Sequence, residues 1–285
     1  MSFINNKTNA WITGHKGFLG KELVKNLKKE FEIFKISRND IIESNKYFAK
    51  KIPIDSIKKN DLRKFNNNFL FHLATLYNPN PKSREEINQI IESNLLFGLR
   101  LFQHLGYNFF SKILLTQSYT ELYKKLSKNV YSQTKSFFAS EIEKKVPEKV
   151  IKVYIYDTFG LFDKRNKLIN IWLKQLALNQ TVTIFSEKTK INISSKEFVT
   201  KIISSINFID PGKYEIRSEV ELTLIELFYL LKDITNSKSR FILKKNTPIN
   251  VSKKYKSLSQ VVDIHYTLKD FKKDIVKILK KEMKI

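Results

Sequence analysis

The sequence predicts an α/β fold: a doubly wound parallel sheet followed by a smaller α/β C-terminal lobe. Three observations predict it. Short apolar runs alternate with amphipathic helical patterns through the first half of the chain, as βαβ units require. Three of the seven glycines fall together between the first strand and the first helix. After Gly160 the texture changes, with short β-prone pieces set among helices.

The elements follow in order. Ala10–Thr13, led by Trp11 and Ile12, is the first strand, and Leu19, Leu23, Val24 and Leu27 follow at helical spacing. Ile33–Ile36, Phe69–Ala74, Lys112–Thr116 and Val150–Tyr156 are further strands. Ile90–Leu105 and Tyr131–Lys145 read as helices, the second ended by Val146-Pro147. Beyond Gly160, helices are expected over Asn166–Asn179, Glu197–Asn207 and Leu222–Thr235, and strands at Val182–Phe185, Lys190–Ile193 and Lys213–Arg217. The tail, Leu268–Lys281, is a basic amphipathic helix with Leu268, Phe271, Ile275 and Leu279 on its apolar face. No repeat or low-complexity linker interrupts the chain. The expected division is 1–157 and 158–285, with segments near 196–218 returning to the first domain.

Composition bounds the function. The 285 residues are 42% hydrophobic and 28% charged, enough for a sizeable core. The absence of Cys excludes a disulfide scaffold, a thiolate zinc site and a cysteine nucleophile. Four scattered His (15, 72, 104 and 265) predict no dedicated metal site. No run approaches the roughly 18–20 apolar residues of a membrane helix, and the first residues lack a signal peptide's basic start and apolar centre. A cytoplasmic protein without a membrane partner is expected. The net charge of +24 raises nucleic-acid binding. Only seven of the 52 basic residues are Arg, however, and the Lys are spread over nearly every helix. Nucleic acid is therefore not the expected main partner, whereas a basic surface also attracts small diphosphate ligands.

The sharpest local signal is Trp11-Ile-Thr-Gly14-His-Lys-Gly17-Phe-Leu-Gly20. A strand, three glycines spaced by three and a helix suit a pyrophosphate. Glycine permits the turn and close backbone approach, and the helix N-terminus offers N–H groups and its dipole. The second signal is Tyr131-Ser-Gln-Thr-Lys135. Tyr and Lys at i and i+4 share a helix face. The ammonium favours tyrosinate and lowers the phenol from its ordinary pKa of about 10, which makes a general acid/base. Tyr47 and Lys51 repeat the spacing without such context.

The glycine spacing resembles the short-chain dehydrogenase/reductase superfamily. Gly17-Phe18-Leu19-Gly20 is similar to its extended branch, the NAD-dependent epimerase/dehydratase family, which acts mostly on nucleotide-activated sugars. The superfamily places its Tyr–Lys pair at the start of a helix between two strands, the order found here with Lys112–Thr116 before it and Val150–Tyr156 after it. The resemblance implies a Rossmann fold with a dinucleotide held at Gly14, Lys16, Gly17, Phe18, Leu19 and Gly20. At the end of the second strand, Ser37-Arg38 accommodates a 2′-phosphate better than a ribose hydroxyl. Lys16 faces the same phosphate, so NADP(H) is expected over NAD(H), with Asp40 the acid that would serve NAD. The resemblance puts Asp55 near the adenine and His72, Leu73 and Ala74 along the cofactor wall. It assigns catalysis to Ser118, Tyr131 and Lys135, the last two also touching the cofactor, with Thr116 the alternative hydroxyl. Asn94 would support the active-site backbone. The helices carrying Asn94 and Tyr131 pair subunits in many members, so a homodimer is expected.

The segment from Lys152 to Leu168, with Phe159-Gly160-Leu161, resembles the CDP-3,6-dideoxyhexose synthases, which are 4-keto reductases. The short spacing of Ser118 and Tyr131 and the run Asp163-Lys-Arg-Asn-Lys167 fit that branch. The implied reaction is NADPH-dependent reduction of a CDP-linked 4-keto-deoxysugar in surface-polysaccharide biosynthesis. Thr116, Asp157, Lys167 and Lys190 would meet the substrate. Lys190 stands where extended members carry an Arg on the diphosphate, and it lacks the bidentate fork. The alternative is a nucleotide-sugar 4-epimerase or dehydratase with tightly bound NAD. A dehydratase needs a carboxylate pair beside the serine, where this chain has Gln117, Tyr119 and Thr120, with Glu121 further on. A non-catalytic dinucleotide- or RNA-binding protein is the alternative from another class, and a complete Ser118/Tyr131/Lys135 set argues against it.

Overall fold

The computed structural model describes residues 8–39, 41–44, 52–57, 62, 65–122, 129–205, 210–244, 260–263 and 265–283. Asp40, Tyr47 and Lys51 lie outside them. The chain divides into two compact units. Unit 1 comprises Met1–Tyr154 and Thr200–Glu215, and unit 2 comprises Ile155–Val199 and Ile216–Ile285.

Unit 1 is built on β1 (Thr8–Thr13), α1 (Phe18–Leu27), β2 (Phe31–Ile36), β3 (Ile41–Glu43), β4 (Ile52–Pro53) and β5 (Asn68–His72). A long helix follows as α2 (Arg84–Ile91), a π turn (Glu92–Leu96) and α3 (Phe97–Leu105). Then come β6 (Lys112–Ser118), α4 (Val130–Lys145) and β7 (Val150–Ile155). β11 (Gly212–Arg217) enters the same sheet, whose order in this unit is β11-β7-β6-β5-β1-β2-β3-β4. β1 is parallel to both β2 and β5, and β5 is parallel to β6. The chain thus enters mid-sheet and winds outward both ways, the Rossmann-like arrangement that the alternating pattern predicts.

Burial explains why β1 is central. Trp11 is fully buried, stacks on Phe34 with ring centroids 4.3 Å apart, and donates its indole N–H to Asn68 Oδ1 at 3.1 Å. Aromatic stacking of this kind adds to the area term, and the indole dipole needs a partner once buried. β3 and β4 are antiparallel additions at the edge. At three and two residues they are too short to show a period in the sequence. The long helix starts at Arg84, earlier than the apolar spacing suggests, because Ser83 Oγ accepts from the Glu86 N–H at 3.1 Å and caps it. The sheet ladder of β5 stops at His72. The Ala74 N–H instead donates to Thr13 Oγ1 at 3.2 Å.

Unit 2 contains β8 (Asp157–Phe159), α5 (Leu168–Ala177), β9 (Val182–Ile184) and β10 (Lys190–Ser195). α6 (Lys196–Ser205) crosses back into unit 1. The predicted end of this helix, Asn207, lies outside the described residues. After β11 come β12 (Glu221–Thr223), α7 (Leu224–Ile234), β13 (Phe241–Leu243), β14 (Gln260–Asp263) and α8 (Leu268–Ile278). β10 lies between β8 and β12, and β9 pairs with β13. Phe159, Trp172, Phe228 and Phe271 share one core. α7 begins at Leu224 rather than Leu222 because Thr223 and Glu226 form a reciprocal capping box. On α8, Phe271 and Ile275 are buried and Leu268 is exposed. Among the described residues no helix is long and apolar enough to cross a membrane, and no group of three or more His, Cys, Asp or Glu could hold a metal.

Candidate active site

The turn after β1 is a cradle that side chains would fill. Gly14 has φ +69°, and a Cβ there would lie 2.7 Å from the Ala74 nitrogen. The Gly17 N–H donates to the Gly14 carbonyl at 2.8 Å, closing the turn. A Cβ on Gly20 would lie 2.1 Å from that same carbonyl oxygen, so α1 packs on the turn at a distance only glycine allows. Gly17 is the N-cap of α1 and brings no side-chain acceptor to it. These residues fit a bound pyrophosphate.

A cleft of about 450 Å³ opens at this turn, lined by Gly14–Gly17, by the end of β2 and by Ala74 and Thr75 beyond β5. Since β2 and β5 flank β1, this is the sheet's switch point, where open α/β sheets bind ligands. Lys16, Ser37 and Arg38 line the cleft. Phe18, Leu19 and Gly20 form the first turn of α1 behind it. Asp55 is exposed in the 3-10 turn Ile54–Ser56 and is not among the lining residues.

The His72 side chain packs in the core. Its imidazole is buried, with Nδ1 3.0 Å from Thr13 Oγ1 and its ring 4.7 Å from that of Phe138. Burial, helped by the Lys135 charge, pushes its pKa down to about 3. The ring is a neutral core group, Leu73 is likewise buried, and Ala74 and Thr75 line the cleft.

Sequence reasoning missed His15, Lys35, Glu43 and Ser93, which also line the cleft. Glu43 arrives on β3 and pairs with Lys35 at 3.3 Å. Ser93 is almost fully buried in the π turn, and its Oγ has no hydrogen-bond partner. His15 Nδ1 is likewise unpartnered, and burial lowers this imidazole's pKa. The position of His15 inside the glycine turn was the one available signal. Neighbouring Asn94 is buried. Its Oδ1 accepts from the Leu76 N–H at 2.6 Å and from Thr75 Oγ1 at 3.2 Å, tethering the wall segment to the helix.

α4 starts where Asn129 Oδ1 accepts from the Ser132 N–H at 2.8 Å. It buries Tyr131 and Lys135 one turn apart. The Lys135 ammonium donates to the Thr116 carbonyl at 2.7 Å and lies 6.0 Å from the Tyr131 ring centroid. Burial lowers the Lys135 pKa, and the Glu121 carboxylate opposes this. The Tyr77 ring meets that of Tyr131 edge-on at 5.2 Å. Ser118 ends β6 and shares a 2.8 Å contact with Thr120 Oγ1. The Thr116 hydroxyl donates to the His72 carbonyl at 3.2 Å and is thereby committed to the sheet.

In unit 2, Asp157 and Lys167 come within 3.8 Å. Ile193 of β10 pairs opposite Asp157. Lys190 is therefore three residues further along that strand, roughly 10 Å at strand rise. It is half-exposed and 3.9 Å from Glu221. Within the Asp163–Lys167 run, Arg165 binds Asp163 at 2.7 Å and donates to the Thr158 carbonyl at 3.0 Å, which fixes the loop.

A doubly wound sheet with a glycine-lined cleft at its switch point and a buried Tyr–Lys helix beside it defines an extended short-chain dehydrogenase/reductase-like enzyme class. Residues 10–191 match the model of the NAD dependent epimerase/dehydratase family. The chain belongs to that family. It superposes on a UDP-glucose 4-epimerase with UDP-glucose from Thermotoga maritima at a TM-score of 0.72 and 15% identity, over 97% of this chain and 100% of that one. The Thermus thermophilus UDP-glucose 4-epimerase complex with NAD gives 0.65 and 15%, over 96% and 100%. The Bordetella bronchiseptica enzyme WbmF in complex with NADH gives 0.69 and 18%, over 98% and 93%. No curated protein sequence matches the chain.

Proposed function

We propose that the protein is an NADPH-dependent reductase of the 4-keto group of a nucleotide-activated deoxysugar, with CDP as the nucleotide. The observation that carries the reading is the cleft wall at the end of β2. Lys16, Arg38 and Lys35 supply cations there, and Glu43, the acid among the lining residues, is paired with Lys35. Cations at this position suit a 2′-phosphate. The bound nicotinamide supplies the hydride. Ser118 hydrogen-bonds the sugar carbonyl, and Tyr131 donates the proton that its oxygen takes up. Lys135 places positive charge beside the Tyr131 phenol and orients the cofactor ribose. A second copy of the chain completes a homodimer.

The test is a thermal-shift matrix of NADPH or NADH against CDP, UDP, dTDP and GDP. A ligand at a hundredfold excess over Kd stabilises by about 2.7 kcal/mol. Stabilisation by NADPH and CDP is expected, followed by turnover of a CDP-4-keto-deoxysugar. No response to any dinucleotide overturns the reading.

A second reading, a 4-epimerase with tightly held NAD, is favoured by Glu43, whose carboxylate could receive a ribose hydroxyl. NAD released on denaturing the purified protein selects it.

A further inference from the structure

We propose that Glu121 is a positioning residue: an internal counter-charge for Lys135 and an anchor for the Ser118 turn. This rests on the reading of Lys135 and Ser118 given above, to which it adds a residue from outside the Tyr–Lys helix.

Glu121 lies in the 3-10 turn Tyr119–Leu122, directly after β6. Its carboxylate is turned inward and spans two elements. Oε1 accepts from the Ser118 N–H at 2.7 Å, and Oε2 accepts from Ser136 Oγ at 3.1 Å. Ser118 is two residues beyond Thr116, whose carbonyl holds the Lys135 ammonium, and Ser136 is the residue after Lys135. One carboxylate therefore ties together both sides of the Lys135 contact. The charged groups facing it are Lys135 from α4 and Lys152 from β7, the latter bonded to Glu143 of α4. Burial, helped by the charges of Glu121, Glu143 and Glu215, raises the phenol of Tyr154 on β7 to about 12.

The physical argument concerns a buried ammonium. Desolvation alone drives such a lysine toward its neutral form, and a nearby carboxylate restores the charged one. The Lys135 side chain is buried, and its ammonium donates to a neutral carbonyl. The Glu121 carboxylate opposes that desolvation, and the Lys135 charge in turn opposes the rise that burial imposes on the Glu121 pKa.

The test follows the lysine directly, by NMR of ¹³Cε-lysine in the full chain, with Lys135→Met to assign the signal. In Glu121→Gln, which preserves the shape of the side chain, Lys135 is expected to deprotonate at a lower pH than in the wild type. Glu121→Asp, which keeps the charge, is expected to restore most of the shift. The alkaline limb of the kcat profile should move with it, leaving dinucleotide Kd unchanged. The coupling is reciprocal, so the Glu121 carboxyl should titrate higher in Lys135→Met. That measurement decides the matter if Glu121→Gln does not fold. Unchanged titrations in folded variants overturn the proposal. Neither titration needs substrate. Inactivity toward every sugar nucleotide would reject the proposed reaction and leave the coupling to be settled by NMR.

Discussion

Lys135 donates to the carbonyl of Thr116 at 2.7 Å, across 19 residues of sequence. This bond locks the Tyr–Lys helix to the strand that ends in Ser118. Tyr131, the proposed acid, and Ser118, the proposed carbonyl-binding hydroxyl, are thus placed by one buried contact.

Tyr131→Phe removes the proposed proton donor and leaves the packing against Tyr77 in place. Turnover should fall roughly 10²–10⁴-fold, with NADPH affinity within a few-fold of wild type. Steady-state kinetics and calorimetry check this, and retained turnover rejects the assignment.

Gly20→Ala forces a methyl group onto the Gly14 carbonyl, 2.1 Å away before relaxation. Overpacking of this kind costs about 1–3 kcal/mol. Both thermal stability and dinucleotide-induced stabilisation should drop.

Arg38→Ala removes a cation from the cleft wall. NADPH affinity should weaken by roughly one pK unit or more, equivalent to about 1.4 kcal/mol, and NADH affinity should barely change. Equal weakening of both would place Arg38 away from the 2′-phosphate.

His72 gives a pH prediction. Its folded pKa, about 3, lies below the ordinary 6.5. Above pH 6.5 both states are neutral and the residue adds no slope. Below that value the unfolded chain binds a proton that the folded one refuses. Stability is therefore lost as pH falls toward 3, by up to about 1.4 kcal/mol per unit. Denaturant titrations of wild type and His72→Gln at several pH values should show the steeper acid loss in the wild type.

Asn94→Ala leaves the Leu76 N–H without its 2.6 Å acceptor and frees the segment lining the cleft. A loss of about 1–3 kcal/mol is expected, together with weaker dinucleotide binding. Urea unfolding and a cofactor titration read the two effects separately.

The βαβ order, the glycine cradle and the Tyr–Lys helix were legible in the sequence because each depends on short-range spacing. A strand period of two, a helix period of 3.6 and three glycines within seven residues are all local patterns. The same local rules fell short at β3 and β4, which have too few residues to show a period, and at the helix starts, where Ser83 and Thr223 capped the chain at other positions.

The tertiary structure decided what depends on partners far apart in the chain. His72 belongs to the core because Thr13, 59 residues away, and Phe138 close around its ring. The Thr116 hydroxyl is committed because the neighbouring strand presents the His72 carbonyl. Glu43 enters the cleft because β3 folds back on β2, and Glu121 reaches Ser136 across the end of β6. A side chain's role in these cases was set by what desolvates it and what hydrogen-bonds to it. Residue type and spacing determined which groups could do chemistry. Burial and long-range pairing determined which of them were left available for it.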